Sequence, residues 1–284
     1  MAIFTNQATL TYNGTSTNSN IAYGEIIDVL SATKTALKGT YAPNDTVTYV
    51  VTLRNTGNSA LTGLTVTDNL GGYDFGGTVV YPLTYENGSV ALFADGVLQP
   101  TPTVTAGPPL VITGISVPAG GDVVLAYQAR ANEFANPSAD GTIVNTITVT
   151  GGGIASEVTA TETIVADTSP VLSITKSITP TQVSDNDRVT YTFVIQNSGN
   201  EPIIATDNAI ITDTFDPILT ALTVTYNGAL WTEGAQYNYD EVTGLFETLN
   251  GSITVPAATY TVDPVTGAYT VTPGIATLVV TGTI

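Results

Sequence analysis

The chain contains no cysteine and no histidine. Without cysteine, no disulfide can brace the fold. Without histidine, Ser-His-Asp and Cys-His catalysis are excluded, along with most transition-metal sites. Positive charge is almost as scarce. Lys34, Lys38, Arg54, Arg130, Lys176 and Arg188 are the only basic residues, against 24 acids, and the net charge is −18. No basic patch exists to neutralise phosphates, so nucleic acid is not a partner. No segment is apolar for long enough to span a membrane. No amphipathic helical pattern outlasts a turn or two. Met-Ala-Ile-Phe-Thr-Asn has neither the basic start nor the continuous apolar core of a classical signal peptide.

What is present points one way. Over 284 residues, 43% hydrophobic content supports two domains with real cores. Thr and Val are abundant, and Gly or Pro punctuates every ten residues or so, the pattern of an all-β sandwich class. Asp45, Asp185 and Asp187 are candidate Ca²⁺ ligands, but acids in such loops are first of all turn formers. No metal site and no cofactor is expected.

The chain repeats itself. VLSATKT (Val29 to Thr35) matches VLSITKS (Val171 to Ser177), and VTYVVTLRNTGN (Val47 to Asn58) matches VTYTFVIQNSGN (Val189 to Asn200), both at an offset of 142 residues. LTVTDNL (Leu64 to Leu70) matches AIITDTF (Ala209 to Phe215) at an offset of 145, so a loop has gained three residues. VPAGGDVVLAYQARA (Val117 to Ala131) resembles VTPGIATLVVTGTI (Val271 to Ile284), each a Pro-Gly turn before an alternating strand. These blocks resemble the bacterial and archaeal conserved repeat domain called DUF11, with its Thr-Lys start, Val-Thr-Tyr strand, Asn-Thr-Gly-Asn turn, Thr-Asp-Thr element and late Asn-Thr-x-Thr-Val strand. The resemblance implies tandem immunoglobulin-like sandwiches of surface and extracellular proteins, without a general catalytic activity.

The departure from that pattern is informative. The first repeat continues into Ile143-Val-Asn-Thr-Ile-Thr-Val-Thr150 and Glu157-Val-Thr-Ala-Thr-Glu-Thr-Ile164. The second stops at Ile284, before any such hairpin. FTNQATLTY (Phe4 to Tyr12) matches the Asn145 strand instead, and NIAYGEIIDV (Asn20 to Val29) takes the place of Glu157 to Asp167. The expected division is therefore residues 1–30 as an arm of donor strands, 31–167 as domain 1, and 168–284 as domain 2, lacking its closing strands. Phe4, Asn6, Ala8, Leu10 and Tyr12 share one face of the arm. A sandwich without its last strands exposes an edge and an apolar groove, which the arm of another copy would fill head to tail. The other reading is an arm that forms an extra edge strand on domain 1.

Period-2 phasing places polar residues among apolar ones. Lys34 lies in line with Leu30 and Ala32, Lys176 with Leu172 and Ile174, Asp68 with Leu64 and Val66, Asp213 with Ile211 and Phe215, and Asn145 with Ile143 and Ile147. A buried lysine must be neutral, paired or consumed. The trio resembles the lysine, acid and asparagine of isopeptide-forming domains in Gram-positive surface proteins. That resemblance implies an amine nucleophile (Lys34), an acid that polarises the carboxamide (Asp68), and an asparagine that loses ammonia (Asn145). In the second repeat the set is Lys176, Asp213 and Asn6 of a neighbouring copy. The alternative is a buried Lys–Asp ion pair capped by Asn. The expected function is a self-polymerising filament subunit of a bacterial cell or spore surface. It needs no partner but itself, and no enzyme activity beyond self-crosslinking. The competing expectation is a tandem adhesin stalk, with Trp231, Tyr226, Tyr237 and Tyr239 as a glycan platform.

Overall fold

The computed structural model describes residues 2–26 and 28–284, with side chains for 3–24 and 28–284. Met1 and Ile27, the latter within the Asn20 to Val29 match, lie outside the described residues. The architecture is all-β. Among the described residues the only helical element is a 3-10 turn, Ala205–Asp207. The chain forms two compact units: Met1–Asn136 with Thr142–Val165, and Pro137–Gly141 with Ala166–Ile284.

Unit 1 begins with the arm: β1 (Ala2–Asn6), β2 (Thr9–Tyr12), β3 (Thr15–Asn18) and β4 (Ala22–Ile26). The sequence predicts one unbroken strand from Ile3 to Tyr12. The structure divides it and folds it back on itself. β1 pairs with β4 and β2 with β3. Asn13 and Gly14, both at positive φ, make the tight reversal that Asn-Gly favours. Between Asn6↔Ala22 and Thr9↔Asn18 the second strand carries an extra residue, a bulge closed by Ser19, whose N–H donates to Ala8 O at 2.8 Å and whose Oγ accepts from Ala8 N–H at 2.9 Å. Among the described residues the arm's strands pair with one another and join neither large sheet of unit 1, so the extra-edge-strand alternative is not seen there.

The body of unit 1 follows as β5 (Leu30–Ala36), β6 (Thr40–Tyr41), β7 (Thr46–Asn55), β8 (Leu61–Asp68), β9 (Tyr73–Phe75), β10 (Thr78–Val80), β11 (Leu83–Tyr85), β12 (Ala91–Ala94), β13 (Val97–Leu98), β14 (Thr103–Thr105), β15 (Leu110–Val117), β16 (Asp122–Ala131), β17 (Thr142–Gly151) and β18 (Val158–Ala166). Two sheets form the sandwich, one ordered β13-β12-β16-β7-β5 and the other β14-β15-β8-β17-β18-β6. Strict alternation makes the core. Val47, Tyr49, Val51 and Leu53 of β7 are fully buried, as are Leu64 and Val66 of β8 and Ile147 and Val149 of β17.

Unit 2 contains β19 (Leu172–Thr179), β20 (Arg188–Asn197), β21 (Thr212–Thr214), β22 (Thr220–Tyr226), β23 (Ala229–Leu230), β24 (Tyr237–Asp240), β25 (Leu245–Thr248), β26 (Thr259–Val262), β27 (Tyr269–Thr272) and β28 (Gly274–Thr283). Its first sheet, β19-β20-β28-β22-β23, repeats the β5-β7-β16 order of unit 1. Its second is only β21-β25-β24. Phe215, Leu219, Val224, Phe246, Leu278 and Val280 fill the space between them.

The repeated Asn-x-Gly-Asn turn has a structural task. Asn55 is fully buried, donates to Ser59 O and Pro118 O, and accepts from Gly57 N–H. Asn197 is likewise buried, donates to Glu201 O and Pro256 O, and accepts from Val171 and Gly199 N–H. Each side chain supplies loop backbone with partners that the sheets cannot.

Candidate functional site

In unit 1 the two sheets deliver their polar residues to one point. Lys34 (β5), Tyr49 (β7) and Tyr127 (β16) come from one sheet, and Asp68 (β8) and Asn145 (β17) from the other. Lys34 Nζ donates to Asp68 Oδ2 at 2.7 Å, across the sandwich. Tyr127 O–H donates to the same oxygen, and Leu70 N–H donates to Oδ1 at 2.7 Å. The Lys34 and Asp68 side chains are 0% and 1% exposed. Lys34 Nζ also sits 4.8 Å from the Tyr49 ring centre, and the rings of Tyr49 and Tyr127 stack at 5.8 Å.

Burial pushes the Lys34 ammonium down to about 8, against the opposing pull of Asp68. Burial also raises both tyrosine hydroxyls, the Asp68 charge adding to each.

Asn145 lies two residues from Ile147, the cross-strand partner of Asp68, so both project from the same face of the sheet. Its carboxamide is fully buried and close to the Tyr49 and Tyr127 hydroxyls, yet neither its Nδ2 nor its Oδ1 has a partner with hydrogen-bond geometry. Each such unmade bond costs about 1–3 kcal/mol. An amine, a carboxylate holding that amine, and a carboxamide without partners thus share a water-excluded site.

The tyrosines were the residues missed by sequence reasoning. Tyr49 stands in the repeated Val-Thr-Tyr block, which was the available signal. Tyr127 had none, because its importance comes from pairing opposite Tyr49.

Unit 2 contains the same pair in the open. Lys176 donates to Asp213, but their side chains are 39% and 18% exposed. Aromatic rings surround the ammonium, with Tyr191 at 4.6 Å, Phe215 at 5.3 Å and Phe193 at 5.5 Å. Val280 sits opposite Tyr191, so no hydroxyl matches that of Tyr127. Among the described residues β21 pairs only with β25. Leu172 and Ile174 are exposed, and with Ile195, Ile203, Ile210 and Val255 they line an apolar groove of about 190 Å³.

The expected third member, Asn6, is in unit 1, on the arm opposite Ala22. Its side chain is exposed, as are those of Phe4, Ala8, Leu10 and Tyr12. The aromatics considered for a glycan platform pack within unit 2. Tyr226 stacks on Trp231 at 4.8 Å, Tyr237 stacks on Phe246 at 5.3 Å, and Tyr239 accepts from Leu219 N–H. Asp45 and Asp187 cap turns, accepting from Ala42 and Ser184 N–H.

No protein-family model matches the chain, and no curated protein does. The DUF11 resemblance therefore rests on the quoted residues. Among solved structures the chain is similar to BcpA, the major pilin subunit of Bacillus cereus, at 12% identity over 96% of this chain and 73% of that one, with a TM-score of 0.36. It is similar to the full-length major pilin SpaD from Corynebacterium diphtheriae at 13% identity over 85% of this chain and 58% of that one, TM-score 0.36. It is also similar to the N-terminal domain of the Streptococcus gordonii adhesin Sgo0707 at 13% identity over 54% of this chain, TM-score 0.37, and spans 36% of that chain's length. All three are distant likenesses.

Proposed function

We propose that this chain is a structural subunit of an extracellular bacterial filament, built head to tail by strand donation and locked by isopeptide bonds. One observation carries the reading. The same Lys–Asp pair occurs twice, once sealed beside an unpartnered asparagine and once beside an unpaired sheet edge, while the matching asparagine sits on an exposed arm.

The chemistry balances without cofactor or oxidant. Within the ion pair, one proton passes from Lys34 Nζ to Asp68, leaving a neutral amine and a carboxylic acid. The amine attacks Asn145 Cγ while Asp68 polarises the carboxamide oxygen. The Nζ–Cγ bond forms, the Cγ–Nδ2 bond breaks, and ammonia leaves. The product amide removes the unsatisfied NH₂ group from the core and staples the first strand of the domain to one of its last. Lys176, Asp213 and the neighbouring copy's Asn6 would run the same steps at the joint, where docking first supplies the burial.

The test is denaturing electrophoresis of assembled material after boiling with reductant. The wild type should give a ladder of multimers, whereas Asn6→Ala and Lys176→Ala should run as monomers. Wild-type protein that runs wholly as monomer rules out the covalent joint. Loss of one ammonia per domain 1, mapped to joined Lys34 and Asn145 peptides, reports the internal bond. Removing residues 1–28 should abolish filaments seen by electron microscopy, and normal filaments from that truncation would refute donation.

A further inference from the structure

If donation operates as proposed above, the structure also says in what form the arm arrives. In unit 1 the sheet runs β8-β17-β18-β6, so the hairpin β17–β18 separates β8 from β6. In unit 2, β21 carries Asp213 in the place of Asp68, and Gln182-Val183 stands where β6 should be. The turns that follow confirm this equivalence. Asn44 and Asn186 both adopt the left-handed conformation, at φ 68° and 69°, and Asp45 and Asp187 both accept from the N–H three residues earlier. Yet Tyr41 of β6 is 1% exposed, whereas its match Val183 is 40% exposed and in no strand. Among the described residues β21 pairs on one side only, with β25, and Gln182-Val183 pairs with no strand, so the space between them calls for two strands rather than one.

The arm already has two, in the matching arrangement. Asn6 stands opposite Ala22 as Asn145 stands opposite Glu162, and Phe4 stands opposite Gly24 as Ile143 stands opposite Ile164. The Phe4 ring lies directly over Gly24, where a Cβ would meet its Cζ at 2.2 Å. One ring thus spans the two positions that a pair of buried isoleucines fills in unit 1. The opposite face is polar and self-satisfied, with Thr9 donating to Asn18 at 2.8 Å and the Thr11 and Ser16 hydroxyls 2.8 Å apart.

We propose that the arm of one copy docks into unit 2 of another as an intact hairpin, first strand on β21 and second toward Gln182-Val183, seated by the Phe4–Gly24 pair. Single-strand invasion would strip β3 and β4 from their partners and discard their backbone hydrogen bonds. A preformed hairpin keeps them and loses little further conformational freedom on docking.

The test uses the full-length chain, whose lack of cysteine makes it clean. Thr11→Cys with Ser16→Cys places a disulfide across the polar face. The oxidised variant should form boil-resistant multimers at a rate within roughly twofold of its reduced form, because locking a preformed element costs nothing further on docking. An oxidised variant that stays monomeric while its reduced form polymerises overturns hairpin docking and leaves strand donation intact. If neither wild type nor variant forms multimers or filaments, the donation reading falls, and this inference with it. A second pair of variants tests the seat without cysteine. Gly24→Ile should slow polymerisation roughly tenfold or more by displacing the Phe4 ring. Adding Phe4→Ile to it rebuilds the isoleucine pair of unit 1 and should recover most of the loss. A Gly24→Ile chain that polymerises at the wild-type rate, or a double variant no better than the single, overturns the seating.

Discussion

One Lys–Asp pair occurs in two settings within this chain. Lys34 and Asp68 are sealed, at 0% and 1% exposure, while Lys176 and Asp213 stand at 39% and 18%. The strands carrying the lysines pair in the same register, Leu30 opposite Asn55 and Leu172 opposite Asn197, so local structure does not explain the difference. Unit 1 lays the β17–β18 hairpin over the site and adds the Tyr127 hydroxyl, whereas unit 2 has Val280 and a β21 that, among the described residues, pairs on one side only, with β25. Burial here belongs to the neighbouring strand rather than to the pair. In the proposed assembly, such a site is inert until the donated strand arrives.

The sharpest way to break the comparison is to remove the acid from each site. Asp68→Ala leaves an unpaired ammonium in the core of unit 1 and should cost roughly 3–5 kcal/mol, besides abolishing the internal link. Asp213→Ala removes a solvent-screened partner and should cost at most about 1 kcal/mol, yet still eliminate boil-resistant multimers. Thermal unfolding with intact mass would record both. Equal destabilisation by the two variants would mean that unit 2 is closed in solution.

Tyr127→Phe comes next. It removes one donor from the Asp68 carboxylate, a hydrogen bond to a charged group worth about 1.5–3 kcal/mol, and makes unit 1 resemble the Val280 arrangement of unit 2. Link formation should slow without stopping, read as the fraction of crosslinked chain against time after refolding of chains captured in denaturant. An unchanged rate would make the tyrosine a packing residue only.

The pH dependence is a smaller effect with a definite sign. The proposed reactive form holds one proton within the Lys34–Asp68 pair, so its population falls as pH rises through the Lys34 value of about 8. Linking of unit 1 on refolding should decline above about pH 8, roughly tenfold per pH unit. A rate that keeps rising with pH would show that free amine alone limits the reaction. The smallest expected change comes from Glu162→Gln. Glu162, opposite Asn145, helps Lys34 hold its proton, so its removal should move that decline slightly to lower pH. The arm has Ala22 at this position, so the proposed joint would lack the influence altogether.

The period-2 alternation of side chains, a local property of any strand, made much of this readable in advance. It marked the inward phase of Lys34, Asp68 and Asn145, while Thr and Val abundance marked the all-β class and block matches marked the repeat and the match of Asn6 to Asn145. The arm was less legible. Gln7-Ala8 looks like continuous strand, and the Ser19 bulge that splits it depends on hydrogen bonds that Gln7 and Ala8 donate to the returning strand. The Phe4–Gly24 contact was also hidden, since the two residues are distant in sequence and meet only across the hairpin.

By itself the sequence determined which residues share a strand face and which of them repeat, because alternation and turn chemistry act over a few residues; it phased Leu172, Ile174 and Lys176 inward, and the structure leaves all three exposed. Tertiary structure alone decided that Tyr127 reaches Asp68, that Asn145 is buried without a partner, and that Lys176 lies open. Those outcomes depend on which strand is laid beside which, and strand order is a long-range choice that no local pattern encodes.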